Sequence, residues 1–254
     1  MLGIIDTIFV GMFAMFGLVG LVYRAKAWSK VRGWKVIGVM SFIAYFFVAG
    51  YSPMLWDNYL GNYTLFNASE LPLEAAIPVG FIMLQLGIYV WHRTIHNVQG
   101  LWRWFHQMHH SAERMDIFGA FYFHPLDILG FTLVGSVMLV AVFGLSGEAA
   151  GIVNIMAAFC SMFQHANINT PRWLGYIVTR PESHSIHHER GHHAQNYGDI
   201  PLWDMVFGTF KNANSWADEV GLYDGSTLQI GDLLMGRDLM KECPRPVPRR
   251  PAVT

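Results

Sequence analysis

The chain has 254 residues, a formal net charge of −1 and a hydrophobic fraction of 53%, while only 14% of its residues are charged. Soluble domains carry about 25% charged residues, so this composition indicates a membrane protein, and the near-zero net charge excludes a broad basic surface for nucleic acid. The length predicts one domain over residues 1–254.

Five apolar segments follow one another along the chain, at residues 3–23, 36–51, 71–91, 125–145 and 149–163. About 20 helical residues cross a bilayer core of roughly 30 Å. The sequence therefore predicts an all-α polytopic membrane protein with about four transmembrane helices, in which the last two segments form either full spans or a re-entrant hairpin. Residues 240–254 are rich in Pro and Arg and are predicted to be a disordered tail.

Basic residues are distributed unevenly between the connecting segments. All 17 Lys and Arg residues lie in 24–35, in 92–124 or after 164, and the loops 52–70 and 144–148 contain none. If every apolar segment crosses the bilayer, the basic segments share one side, which the positive-inside rule identifies as cytoplasmic. The sequence therefore predicts a cytosolic, histidine-rich helical cap.

All twelve histidines lie between His92 and His193, mostly in short motifs. Histidines four apart on a helix point from one face and can share a metal ion. Nine imidazoles exceed the needs of one site, so we predict two metal ions that share eight or more histidines. The motifs are one H-x-x-x-H, two H-x-x-H-H and a single histidine, which comprise His92, His96, His106, His109, His110, His165, His184, His187 and His188.

The other histidines and the nearby carboxylates leave alternatives open. His124 is either a further ligand or the N-cap of the fourth span. His192 and His193 are further ligands, support the ligands from behind or are exposed. Imidazole suits zinc, copper, iron and nickel alike. The nearby carboxylates are expected to orient ring N–H groups or to be solvated; they are Glu113, Asp116, Glu182, Glu189 and Asp199.

The order of these motifs carries a resemblance, together with Asn196-Tyr197-Gly198 and the segment from Trp203 to Thr209. Over residues 80–210 the chain resembles the fatty acid hydroxylase/sterol desaturase superfamily, and His124-Pro125-Leu126-Asp127 resembles its H-P-x-D/E element. The resemblance implies a cytosol-facing di-iron centre with the nine motif histidines as catalytic metal ligands. For the Trp203–Thr209 segment we expect only a structural role.

The resemblance also implies an enzyme that uses O₂ to hydroxylate or desaturate C–H bonds of a membrane lipid, such as a sterol or a fatty acyl chain. The expected cofactors are two iron ions, although zinc could occupy the same ligands in a purified protein. Electrons would come from a separate reductase, cytochrome or ferredoxin-type carrier, because no haem, flavin or nucleotide motif is present. The alternative is a membrane zinc protein that acts as a hydrolase or a metal transporter.

One position departs from the superfamily pattern. Relatives that hydroxylate fatty acyl chains carry a histidine four residues before the single one, where this chain has Ser161. Either another histidine fills that place, with His124 as the candidate, or one metal ion has an open or water-filled position. The sequence does not distinguish hydroxylation from desaturation, and it leaves the oligomeric state open.

Overall fold

A computed structural model describes residues 3–241. Within that range the structure is helical and contains no β-strand, although an isolated β-bridge joins Glu189 and Val220. Most of the segment 240–254, predicted to be disordered, lies outside the described residues.

The α-helices are numbered in chain order as α1 (Ile4–Val22), α2 (Trp34–Tyr51), α3 (Asp57–Leu60), α4 (Leu73–Asn97), α5 (Gln99–Leu101), α6 (Gln107–His110), α7 (Pro125–Ser136), α8 (Gly147–Gln164), α9 (Pro181–His187), α10 (Leu202–Val206) and α11 (Ile230–Leu234). Short 3₁₀ turns lie at Ser52–Leu55, Gly61–Tyr63, Ile117–Gly119, Arg172–Tyr176 and Ser226–Leu228. Two π-helical turns occur, of which Trp102–His106 joins α5 to α6 and Val137–Val142 extends α7.

Four helical segments are long and apolar enough to cross a membrane, namely Ile4–Val22, Trp34–Leu55, Leu73–Asn97 and Pro125–Val142. Their outer faces expose large apolar side chains, with Val22 92% and Leu55 80% exposed. Exposed apolar surface of this extent marks a membrane contact. The prediction of an all-α protein with about four spanning helices is confirmed, and the protein is an integral membrane protein.

The fifth apolar segment forms α8, which packs against α1 and α4. The Ser146 hydroxyl caps this helix by accepting a hydrogen bond from the Ala149 N–H at 3.3 Å. Val153 and Ala157 are buried against Leu84 of α4. Burial against neighbouring helices holds α8 in place, so its C-terminal end carries His165 to the other histidines.

The segment after α6 ties the apolar bundle to the cap. At Gly38 of α2 an added Cβ would lie 2.4 Å from the Phe118 Cβ, so only glycine permits this close approach. The Trp34 indole N–H, one turn earlier on α2, donates to the Asp116 carboxylate at 2.7 Å. On the cap side, the Tyr122 hydroxyl donates to the Thr227 carbonyl at 2.7 Å. These contacts hold the segment after α6 in place between helix α2 and the cap.

Candidate metal centre

The nine motif histidines come together in two adjacent groups. Within each group, one ring nitrogen from every histidine lies within 4.8 Å of the others. The five-histidine group consists of His92, His96, His106, His110 and His187, and the four-histidine group consists of His109, His165, His184 and His188.

Each of the two H-x-x-H-H motifs contributes histidines to both groups. His106 and His110 are four apart and join the five-histidine group, while His109 joins the other group. The second motif does the reverse, because its pair four apart goes to the four-histidine group and His187 goes to the five-histidine group. Side chains four apart share a helix face, so each motif reaches both groups and holds them side by side.

In the five-histidine group, three unprotonated ring nitrogens lie close together. The Nδ1–H groups of His92, His106 and His187 donate to the Tyr197 carbonyl, the Asp127 carboxylate and the Gln195 carbonyl, each at 2.7 Å. A neutral imidazole has one N–H, so the three Nε2 atoms carry lone pairs. The Nε2 atoms of His106 and His187 nevertheless lie 2.9 and 3.1 Å from the His92 Nε2. Facing lone pairs repel one another, and a shared cation removes that repulsion.

The four-histidine group also brings unprotonated ring nitrogens together, but fewer of its rings form a hydrogen bond through the other nitrogen. The His165 Nδ1–H donates to the Ser161 carbonyl at 2.8 Å, so its Nε2 faces the His109 Nε2 at 3.2 Å as a lone-pair donor. Buried Nδ1 atoms of His184 and His188 have no hydrogen-bond partner. Burial lowers the pKa of His165 to about 4 and holds those of His184 and His188 well below the usual range. Neutral imidazoles of this kind are the form that binds metal, so each group could hold a metal ion.

Asp127 is the outer partner that the sequence analysis missed. It is fully buried, and its Oδ2 accepts the Nδ1–H of His106 at 2.7 Å. A carboxylate behind a ligand histidine fixes the ring and makes its other nitrogen more basic. The available signal was the H-P-x-D element, but nothing local in the sequence pairs residue 127 with a histidine 21 positions earlier.

The carboxylates expected to orient the rings have other partners. Glu113 accepts hydrogen bonds from Gly225 and Thr227. Asp116 binds Trp34 and Arg114. Glu182 binds Thr170 and Arg180, and Asp199 binds Gln85 and Gln164. These four are neither ring orienters nor merely solvated charges, because each joins separate segments of the chain, and Asp116 and Asp199 join the cap to helices α2, α4 and α8.

The remaining histidines separate into distinct roles. His124 lies outside both groups and caps α7, its Nδ1 accepting the Leu126 N–H at 3.1 Å. It therefore does not fill the place left by Ser161. His193 lies behind a motif histidine, with its Nδ1 3.0 Å from the Nδ1 of His110. His192 is exposed.

The segment from Asp204 to Thr209 supports the groups from outside. The Asp204 carboxylate accepts the N–H groups of Tyr197 and Gly198 at 2.9 and 2.7 Å, and also the Thr209 hydroxyl. Tyr197 in turn supplies the carbonyl that orients His92. The structural role expected for this segment is therefore what the contacts show.

An apolar cavity of about 540 Å³ leads to the histidines. Its walls come from α1, α2, α4, α7 and α8, and it runs from Gly147 at the start of α8 to His165 just beyond its end. Five motif histidines reach it, namely His92, His106, His109, His165 and His184. A second cavity, of about 700 Å³ between α4 and α7, is lined by none of the histidines of the described residues.

The protein combines membrane-spanning helices with two adjacent histidine groups that could hold metal ions. Residues 77–209, just over half of the chain, match the fatty acid hydroxylase family model. The chain belongs to the fatty acid hydroxylase family, as the resemblance predicted. No solved structure matches it significantly.

Curated relatives are similar over the same region. The ornithine lipid hydroxylase OlsE of Rhizobium tropici is 28% identical over 160 residues, which are 60% of this chain and 47% of that protein. Sphinganine C4-monooxygenase 1 of Arabidopsis thaliana is 26% identical over 56% of both chains. Human alkylglycerol monooxygenase is 28% identical over 63% of this chain and 35% of its own length. The chain thus spans between about a third and just over half of these relatives.

Proposed function

We propose that this protein is a membrane-bound, O₂-dependent oxidoreductase that hydroxylates or desaturates C–H bonds of a lipid at a di-iron centre. The observation that carries the proposal is the convergence of unprotonated ring nitrogens at the end of an apolar cavity between membrane helices. Membership of the fatty acid hydroxylase family and the named activities of the relatives support it.

Each histidine group would hold one iron ion. The ligands are the nine motif histidines, five for one ion and four for the other. When bound, the iron pair would supply activation of O₂; in hydroxylation one oxygen atom enters the C–H bond, and the other leaves as water with two electrons and two protons from outside. The chain's own part is to hold the ligands, admit the lipid and exclude water.

Outer contacts hold the rings in place. Asp127, Tyr197 and Gln195 fix the rings of the five-histidine group from behind, and the Ser161 carbonyl fixes His165. The cavity walls are mostly apolar, so a lipid chain entering the cavity would displace water near the rings. Ser161 itself lines the cavity where the resembling hydroxylases carry a histidine. The four-histidine group therefore has its open side toward the substrate.

We place the histidine groups on the cytoplasmic side, because the segments that carry them hold the basic residues. A separate reductase, cytochrome or ferredoxin-type carrier would reach them there. Maleimide labelling of single cysteines introduced at Asn62 and at Glu219 tests the orientation. Labelling of Asn62→Cys from outside intact cells, and of Glu219→Cys only after lysis, is the expected result; the reverse pattern contradicts the assignment.

Metal analysis of protein purified without oxygen from iron-replete cells tests the proposal. We expect about two iron ions per chain, lost in the double variant His187→Ala/His188→Ala, which removes one ligand from each group. Asn214→Ala, a change of an exposed residue in the cap, is the control and should keep the iron. A single tightly held zinc ion, or iron that survives the double variant, would overturn the di-iron proposal.

The zinc alternatives gain no specific support. A hydrolytic zinc site needs about three protein ligands and a carboxylate base, whereas each group here offers four or five histidines. Asp127, the carboxylate in contact with a motif histidine, already binds the His106 ring. A transporter places its ligands near the bilayer midplane, whereas these groups lie at the ends of α4 and α8.

A further inference from the structure

A polar cluster interrupts the apolar cavity beside the histidines. Gln85, Gln164 and Asp199 are buried, with 0%, 7% and 6% of their surfaces exposed. Gln164 and Asp199 line the cavity, and Gln85 stands behind them on α4. Buried polar groups in an apolar wall cost free energy unless they are hydrogen-bonded.

The two glutamines differ in how many atoms of the side-chain amide form hydrogen bonds. Asp199 Oδ2 accepts the Gln85 amide at 2.9 Å, and the Asp199 backbone N–H donates to Gln85 Oε1 at 3.2 Å. Asp199 Oδ1 accepts the Gln164 amide nitrogen at 2.9 Å. Gln85 therefore forms hydrogen bonds at both ends of its amide, whereas the buried Gln164 Oε1 has no hydrogen-bond partner among residues 3–241.

Asp199 fixes the orientation of the Gln164 amide. An ionised carboxylate only accepts hydrogen bonds, so the amide nitrogen must face Asp199 and the oxygen is left free. Burial raises the pKa of Asp199 to about 6, while the amides of Gln85 and Gln164 act in the opposite direction. Each Asp199 oxygen accepts an amide N–H, so the carboxyl group holds the Gln164 amide with its oxygen as an acceptor that lacks a donor among the described residues.

This acceptor lies at the histidine end of the cavity, which Gln164 lines beside His165. Gln164 directly precedes His165 of the four-histidine group. Asp199 follows two residues after Tyr197, whose carbonyl orients His92 of the five-histidine group. A molecule bonded to Gln164 Oε1 is therefore held at the end of the cavity where a C–H bond would meet the metals.

We propose that Gln164 Oε1 accepts a hydrogen bond from a hydroxyl, amine or amide N–H of the lipid substrate. This rests on the proposed function and narrows its substrate class. The substrate is a lipid with a hydrogen-bond donor a few bonds from the oxidised carbon. Alkanes have no such donor, and an aldehyde carbonyl only accepts. Gln164 thereby sets which carbon reaches the metal site.

Binding of two matched amphiphiles tests the proposal without turnover. The full chain, purified with its metal in detergent and kept without reductant, is titrated with 1-dodecanol and with dodecyl methyl ether, and occupancy is read by native mass spectrometry. The two molecules share the same chain, but only the alcohol donates a hydrogen bond. We expect the alcohol to bind about five- to tenfold more tightly, the range for one hydrogen bond to a buried acceptor.

Gln164→Met should remove this preference and leave the affinity for the ether unchanged. Asp199→Asn should weaken the preference, because an asparagine side chain no longer fixes the Gln164 amide. The matched control is Asn154→Leu, which removes a polar group from the same cavity ten residues earlier on α8, about 15 Å away. That variant should keep the preference, and metal content measured on every variant identifies misfolding.

The outcomes separate this inference from the proposed function. Binding of both amphiphiles with equal affinity to the unaltered protein, or a preference that survives in Gln164→Met, overturns the role of Gln164 alone. The same applies if Asn154→Leu loses the preference equally. If neither amphiphile binds to the metal-loaded protein, the lipid-oxidising function fails with it.

Discussion

The two histidine groups are built differently behind their rings. In the five-histidine group, four rings have a hydrogen-bond partner on the outer side, provided by Tyr197, Asp127, His193 and Gln195. In the four-histidine group, the Ser161 carbonyl holds His165, while the Nδ1 atoms of His184 and His188 have no partner. Outer partners fix the orientation of metal ligands. The first group is therefore the rigid half of the site, and the second is the adaptable half.

Removal of one ligand from either group should have the largest effect on metal content and on activity. In separate variants, His106→Ala should empty the five-histidine group, and His184→Ala should empty the four-histidine group, so each loses about one of two metal ions. Lipid oxidation should fall by at least about hundredfold in both, since the reaction needs the pair. Metal content per chain and product formation are the measurements. Unchanged metal content in either variant would contradict the assignment of that histidine.

Loss of an outer partner should affect the rigid group next most. Asp127→Asn keeps an oxygen for the His106 Nδ1–H but removes the charge, so metal affinity of the five-histidine group should fall about 10- to 100-fold. Competition with a chelator measures it, with Asp232→Asn, in an exposed ion pair with Arg237, as the control. Equal affinities in both variants would show that Asp127 does not support the metal.

Acid should destabilise the metal-free protein. The His165 pKa of about 4 lies below the unfolded value of about 6.5, so the unfolded chain binds more protons and the free energy of unfolding falls as pH drops below 6.5. From pH 7 to pH 5 this one histidine should cost about 2 kcal/mol. Thermal unfolding in detergent across this range is the measurement. Stability that rises on acidification would contradict the buried, neutral state of the ring.

A fifth histidine in the four-histidine group should make it hold its metal ion more as the five-histidine group does. Ser161 lies one helical turn before His165 and lines the cavity, so Ser161→His brings a further imidazole to the four-histidine group. We expect metal to leave that group about tenfold more slowly in a chelator chase, while substrate binding weakens because the ring occupies cavity space. Ser161→Ala is the control and should change neither the rate of metal release nor substrate binding. Faster metal loss in Ser161→His would show that the added ring does not reach the site.

Local sequence patterns predicted the apolar helices and the motif histidines because both depend on nearby residues. Helix α4 continues through His92 and His96 as expected, since the H-x-x-x-H spacing is itself helical. The partner of each ring depends on contacts between distant segments, such as His92 with Tyr197 and His106 with Asp127. For the same reason, acidic residues close to the histidines in sequence were expected behind the rings, whereas two of the rings' actual partners are Asp127 in α7 and the Ser161 carbonyl in α8.

The link from Thr209 and Asp204 through Tyr197 to His92 determines when the site can be completed during biosynthesis. Translation proceeds from the N-terminus, so the first two histidine motifs leave the ribosome about 75 to 90 residues before their partners His184, His187 and His188. All nine ligands have been made once the chain reaches residue 188, but the link that orients His92 is complete only at residue 209. Metal insertion is consequently a late event that follows membrane integration of the apolar helices.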